Sequence, residues 1–308
     1  MATIGLGGII YAMIESSRRT WDNAEVMGSL LLGVSALAAF FIIEVRSSAP
    51  LLPLRVFLER SFAGTNLLTL FLYAALSGML FFFPMNLIQV QGYSATAAGA
   101  AMLPLILLIF LLSRWSGGLV DRYGARLPLI AGPIVAAAGF ALFAAPGIGG
   151  SYWATFFPAV VVLGLGMAIT VAPLTTVVMN SISEEHAGIA SGINNAVSRV
   201  AAVLAVAVLG IVMLGSFNRQ LDDRLMKLNL RVEVRQQLKD QQIRLAEIDI
   251  PAEIEGAERE AVQQSIDESF VYGFRFVVWI AAGLALGSAA TAWLVLQDKS
   301  SPTRQGVS

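Results

Sequence analysis

Long apolar runs recur along this chain of 308 residues, and they are too many for a single water-soluble core. A helix needs about 20 mostly apolar residues to cross the hydrocarbon core of a bilayer. Runs of that order lie at residues 26–43, 62–90, 95–113, 127–145, 153–179, 188–214 and 270–296, with a shorter one at 2–14. Composition agrees, because 56% of residues are hydrophobic and 13% are charged, against roughly 25% charged in a soluble domain. The charge is also segregated. Residues 216–268 hold 8 of the 20 basic and 12 of the 21 acidic side chains. The sequence therefore predicts an all-α integral membrane protein with seven full spans and one segment, 2–14, too short to cross alone. The short connections favour antiparallel neighbours in a compact bundle.

The same residues exclude several functions. With no cysteine there are no disulfides, iron–sulfur clusters or thiolate zinc sites. One histidine, His186, cannot make a multi-histidine metal centre. A net charge of −1 without a basic block argues against nucleic-acid binding. Met1 leads straight into apolar residues, with neither a positive n-region nor a small-residue cleavage site, so no signal peptide is read there. No cofactor is implied. An intramembrane enzyme would need clustered carboxylates, histidines or an activated nucleophile, and no such cluster is visible.

Orientation follows from Lys and Arg in the short connections. One set carries Arg46, Arg55 and Arg60, then Arg114, Arg122 and Arg126, then Lys299 and Arg304 in the tail. The opposite set carries only Arg18 and Arg19. The first set and the C-terminus are expected in the cytoplasm, although the turn at 181–187 is acidic through Glu184 and Glu185. The charged block 216–268 then lies outside. Leu221, Leu225 and Leu228 have helical spacing. Leu228, Leu230, Val232 and Val234 alternate as a strand would, Pro251 breaks the block, and residues 252–268 are helical again. The block is either a solvated hairpin over the bundle mouth or a specific binding domain.

One span has two distinguishable sides. At 100° per residue, Asn66, Tyr73, Ser77, Pro84 and Gln91 fall within about 20° of one line. The opposite line holds Leu68, Phe71, Ala75, Met79 and Phe82. The apolar side is expected to meet lipid, and the polar side water, a ligand or a partner helix. A weaker polar sector in the span 153–179 holds Thr155, Gly166, Thr170, Pro173 and Asn180. These spans are three apart, as in an inverted three-plus-three repeat whose first helices face a central cavity. The competing reading is hydrogen bonding between helices inside the bundle.

The span 188–214 opens with Ser191, Asn194, Asn195, Ser198 and Arg199. Arg199 either snorkels to the cytoplasmic boundary or faces inward at a gate. Pro84, Pro104, Pro133, Pro158 and Pro173 sit inside apolar runs, where kinks are expected. The pairs Gly188/Gly192 and Gly283/Gly287 permit close helix approach.

The connection after the third full span reads GGLVDRYGARLPL, residues 117–129. It resembles the loop signature of the major facilitator superfamily, G-x-L-x-D-R-x-G-x-R/K-x-x-L. Gly117, Leu119, Asp121, Arg122, Gly124, Arg126 and Leu129 match it, and Ala125 departs where the family often has a basic residue. Physically, Gly117 and Gly124 allow tight turns. Asp121 favours a helix N-terminus, while Arg122 and Arg126 can pair with carboxylates or helix C-termini. Such a loop suits a cytoplasmic latch, and it also serves as a positive-inside topology signal.

The stretch FLYAALSGMLFFFPMNLIQVQGYSATAAGAAMLPL, with GINNAVSRVAAVLAVAVLG and FVYGFR, is similar to the fourteen-span drug:proton antiporters, and the resemblance covers essentially the whole chain. It implies a central pair of helices at 1–45, the first partial, and a cytoplasmic linker at 46–61. A C-terminal six-helix half at 62–296 follows, carrying the external loop 216–268, then a cytoplasmic tail at 297–308. The implied function is part of a proton-coupled exporter in the cell membrane that works by alternating access. Its substrates would be hydrophobic or cationic drug-like molecules. None of Glu15, Glu44, Glu59, Asp121, Glu184 or Glu185 sits mid-span, so the resemblance places the coupling carboxylates in an N-terminal six-helix half that this chain lacks. The expected pathway is lined by Asn66, Tyr73, Ser77, Gln91, Thr155, Thr170 and Asn180. Asn194, Asn195 and Arg199 are expected at a gate or interface. The alternative is a non-transporting membrane assembly partner made of this bundle alone.

Overall fold

A computed structural model describes residues 1–16, 19, 22–47, 54–182, 187–228 and 230–296. Arg18, the acidic pair Glu184 and Glu185 with the neighbouring His186, and the tail with Lys299 and Arg304 lie outside the described residues. Among those described, all regular structure is helical. The α-helices are α1 (Ala2–Glu15), α2 (Ala24–Arg46), α3 (Arg60–Met85), α4 (Ala95–Ala100), α5 (Leu103–Tyr123) and α6 (Arg126–Leu142). They continue with α7 (Tyr152–Thr155), α8 (Phe157–Asn180), α9 (Ala187–Leu225), α10 (Val232–Asp240) and α11 (Gly256–Val295).

Among the described residues, six segments are long and apolar enough to cross a membrane. The run 127–145 is not among them. It forms α6, whose 17 residues reach about 26 Å at 1.5 Å per residue. That falls short of a hydrocarbon core about 30 Å thick. Conversely α9 has 39 residues and α11 has 40, each near 60 Å. Both project past the bundle at the same end.

Of the five prolines in apolar runs, two stand at helix starts and three in helix interiors. Pro104 and Pro158 stand in the first turns of α5 and α8, where a missing amide hydrogen costs nothing. Pro84, Pro133 and Pro173 lie in helix interiors. Immediately after Pro84 the chain widens into a π-turn at Asn86–Val90.

The neighbour pattern has an internal symmetry. α3 packs on α9 and α11, and α8 packs on α5 and α6, while α6 and α11 join the two groups. Exchanging α3 with α8, α5 with α9 and α6 with α11 maps these contacts onto one another. The pairing follows the three-plus-three pattern expected from the sequence except that α9 and α11 pack closely, whereas α5 and α6 scarcely meet. Buried phenylalanines tie the halves, with the Phe83 ring 4.9 Å from Phe143 and 5.3 Å from Phe156. α1 and α2 form a hairpin that reaches the bundle mainly through α1 on α9.

Close approach uses other glycines than the two pairs noted in the sequence. Gly188, Gly192 and Gly283 have open space where a Cβ would stand. On the α6–α8 face, a Cβ at Gly166 would lie 2.3 Å from the Ala136 backbone nitrogen, and one at Gly132 2.2 Å from the Thr170 hydroxyl. Small residues let these backbones touch.

The expected strand at Leu228–Val234 is not formed among the described residues: Leu228 stands in a turn and α10 begins at Val232. Val234 and Leu238, four residues apart, are buried, whereas Val232 is 74% exposed. The helical period therefore wins over the two-residue one in a run too short to separate them. Residues 252–268 are helical from Gly256 onward, as expected. Together α10, the 3-10 turn Gln242–Glu247 and the projecting ends of α9 and α11 form a packed cap. Its core is Phe217, Leu221, Leu225, Val234, Leu238, Val262 and Ile266, all buried and continuous with the bundle core. Ion pairs Arg224–Glu268, Arg231–Glu253 and Lys239–Asp222 lie on its outside.

Candidate transport pathway and gate

The polar line on α3 divides into three parts. At the Arg60 end, Asn66 is 3% exposed. Its Nδ2 donates to the Phe62 carbonyl at 2.9 Å. Asn194 of α9 donates to Asn66 Oδ1 at 3.2 Å and to Thr69 Oγ1 at 2.7 Å, and Thr69 donates onward to the Thr65 carbonyl at 2.9 Å. Here the polar atoms join two helices, which is what bundle packing asks of them. Thr69 was not singled out in the sequence, although it stands one turn beyond Asn66. At the other end Gln91 donates to the Gly147 carbonyl at 2.9 Å and accepts from the Gly149 amide at 2.8 Å. It fastens the turn between α6 and α7.

Between these ends, Tyr73 and Ser77 are half-buried. Ser77 borders a cavity of about 610 Å³ between α1, α3, α9 and the cap. The apolar line, expected to meet lipid, does not. Leu68, Ala75, Met79 and Phe82 are buried. Ser288 of α11 donates to the Leu68 carbonyl at 3.3 Å, and Phe71 covers Gly287. Protein interior and lipid are equally apolar, so composition could not tell which of them this side would meet. The exposed face instead carries Leu67, Leu70, Leu80, Phe81 and Ile88.

The family signature is mostly helix. α5 continues to Tyr123, so Gly117, Asp121 and Arg122 all lie within it. Only Gly124 and Ala125 separate α5 from α6. Gly124 makes the expected turn with φ 73°, a region that favours glycine. Gly117 makes no turn, and Asp121 stands near the C-terminal end of α5 rather than at a helix N-terminus. Arg122 is in that last turn, where a cation opposes the negative dipole end, and lies 5.3 Å from the Tyr123 ring. Arg126 Nη2 donates to the Trp293 carbonyl at 2.9 Å, in the last turn of α11. Asn180 joins this region, sharing a cavity of about 290 Å³ with Gly124 and Arg126.

The sequence profile described as "Major Facilitator Superfamily" matches residues 1–206. The chain belongs to the Major Facilitator Superfamily. It is 30% identical over 227 residues to the multidrug resistance protein Stp of Mycobacterium tuberculosis, covering 72% of this chain and 41% of that protein. It is 28% identical over 292 residues to the tetracenomycin C resistance and export protein of Streptomyces glaucescens, covering 92% of this chain and 53% of that one. The chain thus spans about half the length of the curated relatives it matches. The fold is similar to a bacterial homologue of the human lysosomal transporter Spinster, solved inward-facing and unoccupied. The TM-score is 0.58 at 16% identity, over 97% of this chain and 68% of that one.

The remaining residues singled out in the sequence are scattered over the superfamily fold. Thr170 is buried at the α6–α8 contact and donates to the Gly166 carbonyl at 2.7 Å. Thr155 lies in α7 and donates to the Ser151 carbonyl at 2.9 Å. Asn195 and Arg199 are exposed on α9, one and five residues beyond the half-buried Asn194. Tyr152 ties α7 to the α4–α5 junction, its hydroxyl donating to the Ala101 carbonyl at 2.7 Å.

Proposed function

We propose that this chain is the C-terminal part of a fourteen-span, proton-coupled exporter of hydrophobic or cationic drug-like molecules in the cell membrane. The supporting observation is the symmetric three-plus-three packing of α3–α11, in a chain that spans about half of relatives named for drug resistance. An N-terminal six-helix half would complete the pathway and supply the proton-coupling carboxylates. Residues 1–45 are the central helix pair, 46–61 the cytoplasmic linker, 62–296 the C-terminal half and 297–308 a cytoplasmic tail. The cap between α9 and α11 faces outward, because Arg46, Arg60, Arg114, Arg122 and Arg126 gather at the opposite end.

In this reading Tyr73 and Ser77 border the wet stretch of the pathway. Asn66, Thr69 and Asn194 hold α3 to α9 as one rigid body during alternating access. Gly124, Arg126 and Asn180 form a cytoplasmic latch that Asp121 and Arg122 extend, and Asn195 and Arg199 face the complementary half. Gln91, Thr155 and Thr170 then support the pathway helices from behind. The test is efflux from proteoliposomes under an imposed proton gradient. The chain co-reconstituted with a complementary six-helix half should expel a fluorescent drug, and the chain alone should not. Gradient-driven efflux by the chain alone would overturn the proposal.

A further inference from the structure

Arg275 ends the FVYGFR stretch, which the pathway does not use, and stands five residues inside the apolar run that begins at Phe270. Gly273 fixes how the stretch faces. A Cβ there would lie 2.9 Å from the Met213 sulfur of α9, and with that side turned inward Phe270 and Phe274 are buried while Tyr272 and Arg275 are exposed. The 20 residues from Phe276 to the end of α11 at Val295 rise about 30 Å at 1.5 Å each, the thickness of a hydrocarbon core. Exposed aromatic rings flank that stretch, Tyr272 on the cap side and Trp293 near the other end, as interfacial belts do. Arg275 therefore lies at the level of the lipid phosphates on the cap side of the membrane. Below it Phe276, Trp279 and Ile280 are exposed where acyl chains run.

On the cap side of Arg275 opens a recess of about 720 Å³, between the projecting ends of α9 and α11 and the turn at Gly147 and Ile148. It shares no lining residue with the cavity beside Ser77. Its charges are of both signs, with Arg224 and Arg275 against Glu260, Asp267 and Glu268. Arg224 pairs with Glu268, which also accepts from Gln264 at 2.8 Å. Asp267 accepts from Gln263 at 2.9 Å. Arg275 has only a long hydrogen bond among the described residues, to the Pro146 carbonyl at 3.4 Å, which leaves most of its guanidinium donors unused. An anion entering the recess would meet the carboxylates and a cation would meet Arg275, whereas a zwitterion complements both.

We propose that the recess holds the headgroup of a zwitterionic, primary-amine phospholipid from the cap-side leaflet. Its phosphate sits on Arg275, its ammonium turns toward Asp267, and its acyl chains lie along Phe276, Trp279 and Ile280. Guanidinium and phosphate pair through parallel N–H···O bonds, and the ammonium supplies donors that an acceptor-only carboxylate takes. The acyl chains give general affinity, and the recess selects the headgroup. The exporter reading enters only in calling that leaflet the outer one.

The experiment is native mass spectrometry of the full chain, titrated with phosphatidylethanolamine, phosphatidylcholine and phosphatidylglycerol of identical acyl chains. Phosphatidylethanolamine should bind about tenfold tighter than phosphatidylglycerol and about threefold tighter than phosphatidylcholine, whose quaternary nitrogen donates no hydrogen bond. Arg275→Gln should abolish the preference at an unchanged thermal midpoint. Asp267→Asn should narrow it, chiefly by admitting phosphatidylglycerol. Arg259→Gln, on the cap but outside the recess, should change nothing. Free phosphoethanolamine at millimolar concentration should not displace the lipid, and displacement would make this a site for a soluble zwitterion and overturn the lipid assignment. Equal affinity for the three lipids, or a preference kept by the folded Arg275→Gln chain, would leave Arg275 merely snorkelling at the boundary and overturn the proposal.

Discussion

Asn194 carries the contact that decides how the polar line of α3 is used. It donates twice across the α3–α9 interface, to Asn66 and Thr69. Such bonds inside membrane bundles contribute about 0.6 kcal/mol on average and up to ~1.7. Asn194→Leu should therefore destabilise the chain by about 1–2 kcal/mol, read as a lower unfolding midpoint in detergent, and an unchanged midpoint would contradict the network. Tyr152 offers a pH test. Burial first, and then nearby Tyr93, push its phenol above the ordinary 10.0. The folded state thus favours the neutral phenol, and the resulting stability is complete below pH 10 and lost as pH rises through the raised value. Tyr152→Phe should cost about 1 kcal/mol at neutral pH and flatten the alkaline loss above pH 10. At this scale the sequence named Asn66 and Asn194 separately but not their bond, because helix periodicity assigns a residue to a side without saying which helix lies opposite.

Helix positions were legible wherever an apolar run was long, and their lengths were not. α9 and α11 continue well past their apolar runs, because Leu221, Leu225, Val262 and Ile266 extend the buried side into the charged block. That continuation was legible in the helical spacing of Leu221, Leu225 and Leu228 and in the helical reading of residues 252–268, though not as part of the spanning helices themselves. The strand reading of Leu228–Val234 failed for the complementary reason, since four alternating residues satisfy both periods until Leu238 is included. The glycines that matter are those at the α6–α8 contact, where the neighbour's backbone leaves no room for a Cβ. Gly166→Leu should separate these helices and, at a typical overpacking cost of about 1–3 kcal/mol or more, sharply reduce folded yield in membranes. Gly188→Leu, in open space at the start of α9, is the matched control and should leave yield unchanged. Equal yields from both would contradict the packing described.

For the molecule as a whole, the family was legible from one short connection and the architecture from the spacing of apolar runs. The split of the polar line was not, because it depends on what α9, α11 and the cap place beside α3. The central claim is that Tyr73 and Ser77, and not the apolar side of α3, border water within the membrane. The absence of cysteine allows a direct measurement by single-cysteine substitution and a membrane-impermeant, water-soluble maleimide applied to each side of membrane vesicles. Tyr73→Cys and Ser77→Cys should label, while Ala75→Cys, buried against the bundle, and Leu286→Cys, 51% exposed on the outer side of α11, should not. Labelling of Leu286→Cys as fast as Ser77→Cys, or none at Tyr73 and Ser77 from either side, would contradict the account.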